Sequence, residues 1–136
     1  MASAAATEAT TARQAAHKAF NKGVKAFLKD LRRMFPHLSE LRMLLLAYKV
    51  TKAISPSMPH KYFREELLAQ HEARLLARDF EFFMSDAFQV PSADYAVAMM
   101  KRECRALPAE TIELIWQNMA NLVALSRRCV EASPST

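Results

Sequence analysis

The chain has 136 residues, of which 51% are hydrophobic, and a formal net charge of +5; it contains one glycine and two cysteines. This length and apolar content are typical of one globular domain and exclude a disordered chain. Glycine supplies the positive-φ positions of hairpins and the close backbone approach of phosphate-binding loops, so a single glycine argues against β-rich folds, dinucleotide-binding folds and P-loops. The composition therefore predicts an all-α fold, a single-domain bundle of about five helices.

The positive charge is concentrated in the first part of the chain. Residues 1–56 carry ten Lys and Arg against three Asp and Glu, whereas residues 57–136 carry nine against eleven. Such an asymmetry predicts an acidic partner for the first part: nucleic acid, an anionic membrane, or the second part of the chain itself.

Residues 1–12 are rich in Ala, Thr and Ser, which predicts a disordered tail before a helical domain over residues 13–132. Residues 133–136 are predicted to be a second tail. The N-terminus lacks the regions of a signal peptide, and the longest strongly apolar run, Met43–Tyr48, is too short to cross a bilayer. The short apolar run predicts a chain without a transmembrane segment. Two cysteines are too few for a disulfide scaffold, so we expect a reducing, intracellular compartment.

The first predicted helix, approximately residues 13–34, has an apolar face and a basic face. The apolar residues recur at helical spacing and are expected in the core: Phe20, Val24, Phe27, Leu28, Leu31 and Met34. Another row, here called the basic stripe, points away from them: Lys18, Lys22, Lys25, Lys29, Arg32 and Arg33. Gly23 lies inside this helix, where it would permit close contact with another helix.

Regularly spaced lysines can contact successive phosphates, so the basic stripe is the predicted site for a polyanion, the nucleic-acid backbone bound without sequence specificity. The alternative is that these cations only keep the helix solvated, or pair with acids of the second part of the chain. A membrane-surface role is weaker, because Phe20 and Phe27 are needed for the core.

A second helix is predicted from about Ser39 to Ile54, and it is apolar almost all round. A helix that is apolar on every side is surrounded by other elements, so this one is predicted to lie at the centre of the bundle. Proline-containing junctions then separate helices over approximately residues 58–77, 93–106 and 109–131, with Asp79 expected to cap a short Phe-rich helix.

The last predicted helix carries a ridge away from its main apolar face: Leu114, Asn118, Asn121 and Leu125. Two leucines and two amides left at the surface would suit a subunit contact or a partner groove. Burial under a neighbouring helix is the alternative. The ridge supports a second function class, a protein–protein interaction or assembly component. Its partner would be another protein or, in a homo-oligomer, a second copy of the chain, and its basic stripe would pair with the chain's own acids.

Patterns for catalysis or metal binding are weak. His71-Glu72 begins like a zinc-protease motif, but Leu75 stands where the second histidine is required. The remaining histidines have no Cys or carboxylate at a metal-ligand spacing, so no metal and no cofactor are predicted. Cys104 lies among helical residues without a glycine-bearing turn, which argues against a catalytic nucleophile. The sequence therefore predicts a non-enzymatic binding module.

Several short motifs resemble a group of small helical proteins of large double-stranded-DNA viruses of algae and protists. The motifs are Phe27-Leu28-x-Asp30-Leu31 with Phe35-Pro36, Lys52-x-Ile54-Ser55-Pro56, Asp79-Phe80-Glu81-Phe82-Phe83, and Ile115-Trp116. The resemblance spans about residues 20–120 of the chain. It implies a viral or virus-derived accessory protein, and it implies no catalytic residues.

Overall fold

The computed structural model describes residues 2–133, and the side chains of residues 7–133. Its helices, in chain order, are α1 (Ala2–Met34), α2 (Ser39–Ile54), α3 (Met58–Tyr62), α4 (Ala69–Leu76), α5 (Phe80–Met84), α6 (Asp94–Cys104) and α7 (Ala109–Ala132). A π-helical turn, Phe63–Leu68, joins α3 to α4 without a break, and a 3₁₀ turn, Pro91–Ala93, leads into α6. Residues 2–133 contain no strand, and the predicted all-α bundle is confirmed.

Helix α1 begins at Ala2 and not at Arg13, so residues 2–12, predicted to be a disordered tail, are helical. Alanine has the highest helix propensity and is the commonest residue of this segment, which favours the extension of the helix. The described side chains of residues 7–12 are all exposed. Residue 1 and residues 134–136, which belong to the predicted tails, lie outside the described residues.

The centre of the bundle is the pair of α1 and α7, which make the most extensive contact between helices. Phe20 and Leu31 of α1 are buried with Leu122 and Cys129 of α7. A Cβ atom at Gly23 would lie 2.6 Å from Leu125 Cδ1, so the predicted close helix contact at this glycine is confirmed. The helices run antiparallel, because His17 lies near Cys129 whereas Gly23 lies near Leu122.

Helix α2 lies at the edge of the bundle, and the prediction that it is the central helix is wrong. Its inner face is buried through Leu41, Leu45 and Tyr48. Its outer face leaves four large apolar side chains between 52% and 72% exposed: Met43, Leu46, Val50 and Ile54. The sequence pattern shows that a helix is apolar on two sides, but not that the second side has a neighbour.

A second, mainly aromatic cluster fills the other end of the domain. It contains the buried residues Leu67, Leu75 and Phe88, against which Phe83 and Trp116 pack. The predicted cap at Asp79 is confirmed, since its carboxylate accepts a hydrogen bond from Phe82 N at 3.0 Å. None of the described helices combines the length and apolarity that crossing a membrane requires.

Candidate functional site

All six side chains of the basic stripe are exposed along α1. At about 100° per residue, the middle of the stripe lies roughly 170° around the helix from the buried row of Phe20, Phe27 and Leu31. This separation follows from the sequence, because the core-facing row decides which side of α1 turns inward.

One acid of the described chain pairs with the stripe: Asp30 binds Arg33 at 2.9 Å, one turn away on the same helix. The other five cations of the stripe have no acidic partner within residues 7–133. Three acids of the second part of the chain instead pair with arginines of the same part: Glu72 with Arg127, Asp79 with Arg74, and Glu113 with Arg78. In the predicted alternative, acids of the second part of the chain neutralise the stripe. No such pair is found among the side chains of residues 7–133.

The positive charge of the stripe extends across the junction between α1 and α2. Lys29, Arg32 and Arg33 line an open depression of about 360 Å³ with Arg42 of α2, above the floor made by Phe35, Pro36 and Leu38. Lys49 follows Arg42 after two turns and therefore lies on the same side of α2. The positively charged surface thus includes two helices.

The ridge predicted on α7 is divided between surface and interior. Leu114 is 49% exposed, and Asn118 donates a hydrogen bond to the carbonyl of Leu114 at 3.0 Å within the helix. Asn121 is exposed, whereas Leu125 is partly buried against Gly23 in the contact between α1 and α7. The four residues therefore do not form one continuous exposed surface. The missing side chain at Gly23 lets α7 approach α1 closely, and this close contact partly buries Leu125.

The residues considered for catalysis are engaged in core packing or in an ion pair. His71 is buried against the rings of Phe82 and Phe88, at 5.3 and 5.2 Å between ring centroids. Glu72 pairs with Arg127. Cys104 is buried, and burial together with the neighbouring Glu103 raises the pKa of its thiol to about 11, which disfavours the nucleophilic thiolate.

A polar cluster inside the core was missed by sequence reasoning. His17 of α1, His60 of α3 and Cys129 of α7 are buried, and their ligand atoms all lie within 4.8 Å of one another. The two imidazole rings meet edge to face, 5.3 Å apart. One signal was available, since His17 precedes Phe20 by three residues and so belongs to the core-facing row of α1. No pattern in the sequence indicated that His17, His60 and Cys129 would lie close together.

Burial governs the protonation of this cluster. It lowers the pKa of His60 to about 4, helped by the nearby His17 and Arg64, and it lowers the pKa of His17, helped by Arg13 and Arg64. Burial also raises the pKa of Cys129 to about 11. Both imidazoles and the thiol are therefore neutral at pH 7.

Hydrogen bonding satisfies only part of the cluster. His60 Nε2 and Ser126 Oγ form a hydrogen bond of 2.7 Å. His17 Nδ1, by contrast, is buried and has no hydrogen-bond partner among the described residues. A buried polar nitrogen without a partner is unusual in a folded protein.

Comparison with family models, with curated proteins and with solved structures finds no match for this chain.

Proposed function

We propose that this protein is a non-enzymatic binding module that docks the basic stripe of α1 on a polyanion, the phosphate backbone of nucleic acid. One observation carries the proposal: the stripe is exposed, and five of its six cations have no acidic partner within residues 7–133. Exposed cations without partners remain available to phosphates, and each contact releases counterions.

The dimensions of the stripe support an elongated partner. From Lys18 to Arg33 it extends about 22 Å along α1, with successive cations as far as Arg32 about one helical turn apart. Lysines predominate, and an ammonium group acts as a point charge and not as a planar fork for base edges. Contacts of this kind hold a phosphate backbone and carry no sequence information.

Salt-dependent binding to labelled duplex DNA, measured by fluorescence anisotropy, tests this function. We expect affinity to fall linearly on a log–log plot as salt rises, with a slope that reports the number of phosphates contacted. The double variant Lys25→Gln/Lys29→Gln should reduce the magnitude of that slope by about 2, at about 0.9 per lost contact.

A matched control removes two exposed cations from other parts of the domain, Lys61→Gln/Arg105→Gln. This control should bind DNA as the unaltered chain does, with the same salt slope. Absence of binding at low salt would refute the proposal, and so would equal losses in both double variants.

A second candidate function, recognition of a protein partner, is favoured by the outer face of α2. Met43, Leu46, Val50 and Ile54 follow the spacing of a helix that packs against another helix, yet each is more than half exposed. Arg42 and Lys49 border this row on the side facing α1 and have no acidic partner among the described residues. The partner that fits this face is an amphipathic helix with an acidic border.

Titration with a synthetic amphipathic peptide of Leu and Glu tests this second function, with a Leu and Lys peptide of the same pattern as control. We expect the acidic peptide alone to bind, and the variant Leu46→Gln/Val50→Gln to lose this binding while remaining folded, since both side chains are exposed. Equal binding of both peptides contradicts the assignment. Concentration-dependent dimerisation in light scattering also contradicts it, because a second copy would then cover α2.

A further inference from the structure

Three helices that are distant in sequence bring a nitrogen-and-sulfur donor set into the core. His17 is 9% exposed, His60 4% and Cys129 0%, and one ligand atom from each lies within 4.8 Å of the other two. Ser126, one turn before Cys129 on α7, contacts His60 from the same side. The cluster is separate from the basic stripe and from the outer face of α2.

Packing alone does not account for the cluster. An apolar side chain at position 17 would fill the core-facing row, but the chain instead places an imidazole whose Nδ1 is buried without a partner within the described residues. The other described buried atom without a partner, Asn21 Oδ1, lies one turn further along the same side of α1. A buried imidazole with an unpaired nitrogen, beside a second imidazole and a thiol, offers the donor types that zinc ligands provide.

We propose that His17, His60 and Cys129 form a binding site for a borderline-soft divalent cation of the zinc class, which links α1, α3 and α7.

The spacing of the ligand atoms suits such an ion. Bond lengths of about 2.0–2.1 Å to nitrogen and 2.3 Å to sulfur place tetrahedral ligand atoms about 3.3–3.6 Å apart. From their present separation of at most 4.8 Å, the three atoms therefore need to approach one another by at most about 1.2–1.5 Å, a shift within reach of side-chain rotation. A water molecule completes the fourth position.

The chemistry of the donors selects the class of metal. The cluster contains no carboxylate, so it offers nothing to the oxygen-seeking cations Mg²⁺ and Ca²⁺. Imidazole and thiolate together favour Zn²⁺ and its relatives. Both imidazoles are already neutral, as ligands must be, and the thiol loses its proton when the ion binds.

The charged groups around the site limit its affinity. Burial lowers the pKa of His17, and the charges of Arg13 and Arg64 lower it further; the same two charges oppose a dication. The Cys129 thiolate offsets one of the two added charges, so the filled site carries one net positive charge. We expect the affinity for the ion to increase as pH rises, because the Cys129 thiol must release its proton on binding and a lower proton concentration favours that release.

Titration of the chelator-treated, reduced chain with Zn²⁺ and Co²⁺ tests the site. We expect one ion per chain, release of about one proton at pH 7, and a rise in the thermal midpoint with Zn²⁺. Co²⁺ should produce both the visible bands of tetrahedral coordination and a near-ultraviolet charge-transfer band from the thiolate. Neither a structural cysteine nor a surface histidine alone would produce that combination.

Matched variants are available within the chain. Cys129→Ser should abolish the charge-transfer band and weaken Zn²⁺ binding by at least about 100-fold, since loss of an outer-shell partner alone costs about 10–100-fold. Cys104→Ser alters the other buried cysteine and should bind as the unaltered chain does. His17→Gln and His71→Gln form the same comparison for two buried histidines.

Several outcomes overturn the proposal. Failure to bind Zn²⁺ at micromolar concentration does so, as does binding that survives Cys129→Ser. Binding that is lost in His71→Gln but kept in His17→Gln also overturns it. Should Cys129→Ser fail to fold, which circular dichroism without metal would show, His17→Gln decides, because its side chain makes no hydrogen bond through Nδ1 that folding could lose.

Discussion

Helices α1 and α2 are neighbours in the chain and in space, yet they present opposite surfaces to the solvent. The outer side of α1 is a row of cations, whereas the outer side of α2 is a row of large apolar residues. Exposed lysines need no structural explanation, because charged groups prefer water. An exposed apolar row is the more informative of the two, since a folded domain gains nothing by leaving it in water.

The largest expected effect separates the inner face of α1 from the outer face of α2. Phe20 is fully buried, so Phe20→Ala should lower the free energy of unfolding by about 3–5 kcal/mol, through lost burial and the cavity that remains. Leu46 is 62% exposed, and Leu46→Ala should change it by less than about 0.5 kcal/mol. Urea denaturation measures both. A large effect at Leu46 would show that α2 is covered in solution.

Lowering the pH should destabilise the fold at the inner face of α1, where the ring of His17 contacts the ring of His60. The folded pKa of His60 is about 4, below its value of about 6.5 in the unfolded chain, so the unfolded chain binds more protons between these pH values. The free energy of unfolding should therefore decrease as pH falls from about 6.5 to about 4, by about 2–3 kcal/mol in total.

Urea denaturation at several pH values, with a chelator present, measures this dependence. The carboxylates are common to the unaltered chain and to His60→Gln, so the difference between their profiles isolates the histidine. Parallel profiles for the two chains would show that His60 does not lose affinity for its proton on folding.

The contact between the inner faces of α1 and α2 includes a buried hydrogen bond. Tyr48 donates its hydroxyl to the carbonyl of Asn21 at 2.8 Å. Tyr48→Phe leaves that carbonyl without this donor and should cost about 1–2 kcal/mol of unfolding free energy. Tyr62→Phe, at a 41% exposed tyrosine, is the control and should cost close to nothing. Equal effects would contradict the assignment of the two faces.

The smallest expected effect compares two reciprocal substitutions. Ala47→Gly, on the exposed side of α2, should destabilise the fold by about 1 kcal/mol through helix propensity alone. Gly23→Ala on α1 should fail to gain the same amount, because its new Cβ would lie 2.6 Å from Leu125 Cδ1 and force that side chain to shift. Thermal unfolding measures both. A full gain of about 1 kcal/mol at Gly23 would mean that α7 adjusts freely.

The two helices also show where sequence reasoning succeeded and where it failed. For α1, the apolar row and the basic row differ in chemistry, so their spacing predicted correctly which residues would be buried and which exposed. For α2, both rows are apolar, and spacing could not tell a face with a neighbour from a face without one. The spacing therefore predicts a central helix, whereas α2 lies at the edge of the bundle.

The sequence by itself determined local properties: the all-α class, the end of α1 before Pro36, the cap at Asp79 and the faces of α1. Each depends on residues within a few positions of one another, where propensity and periodicity act. Only the tertiary structure decided which faces meet. The exposed row of α2, the burial of Leu125 and the meeting of His17 with His60 and Cys129 depend on packing between distant segments, and no local pattern encodes that packing.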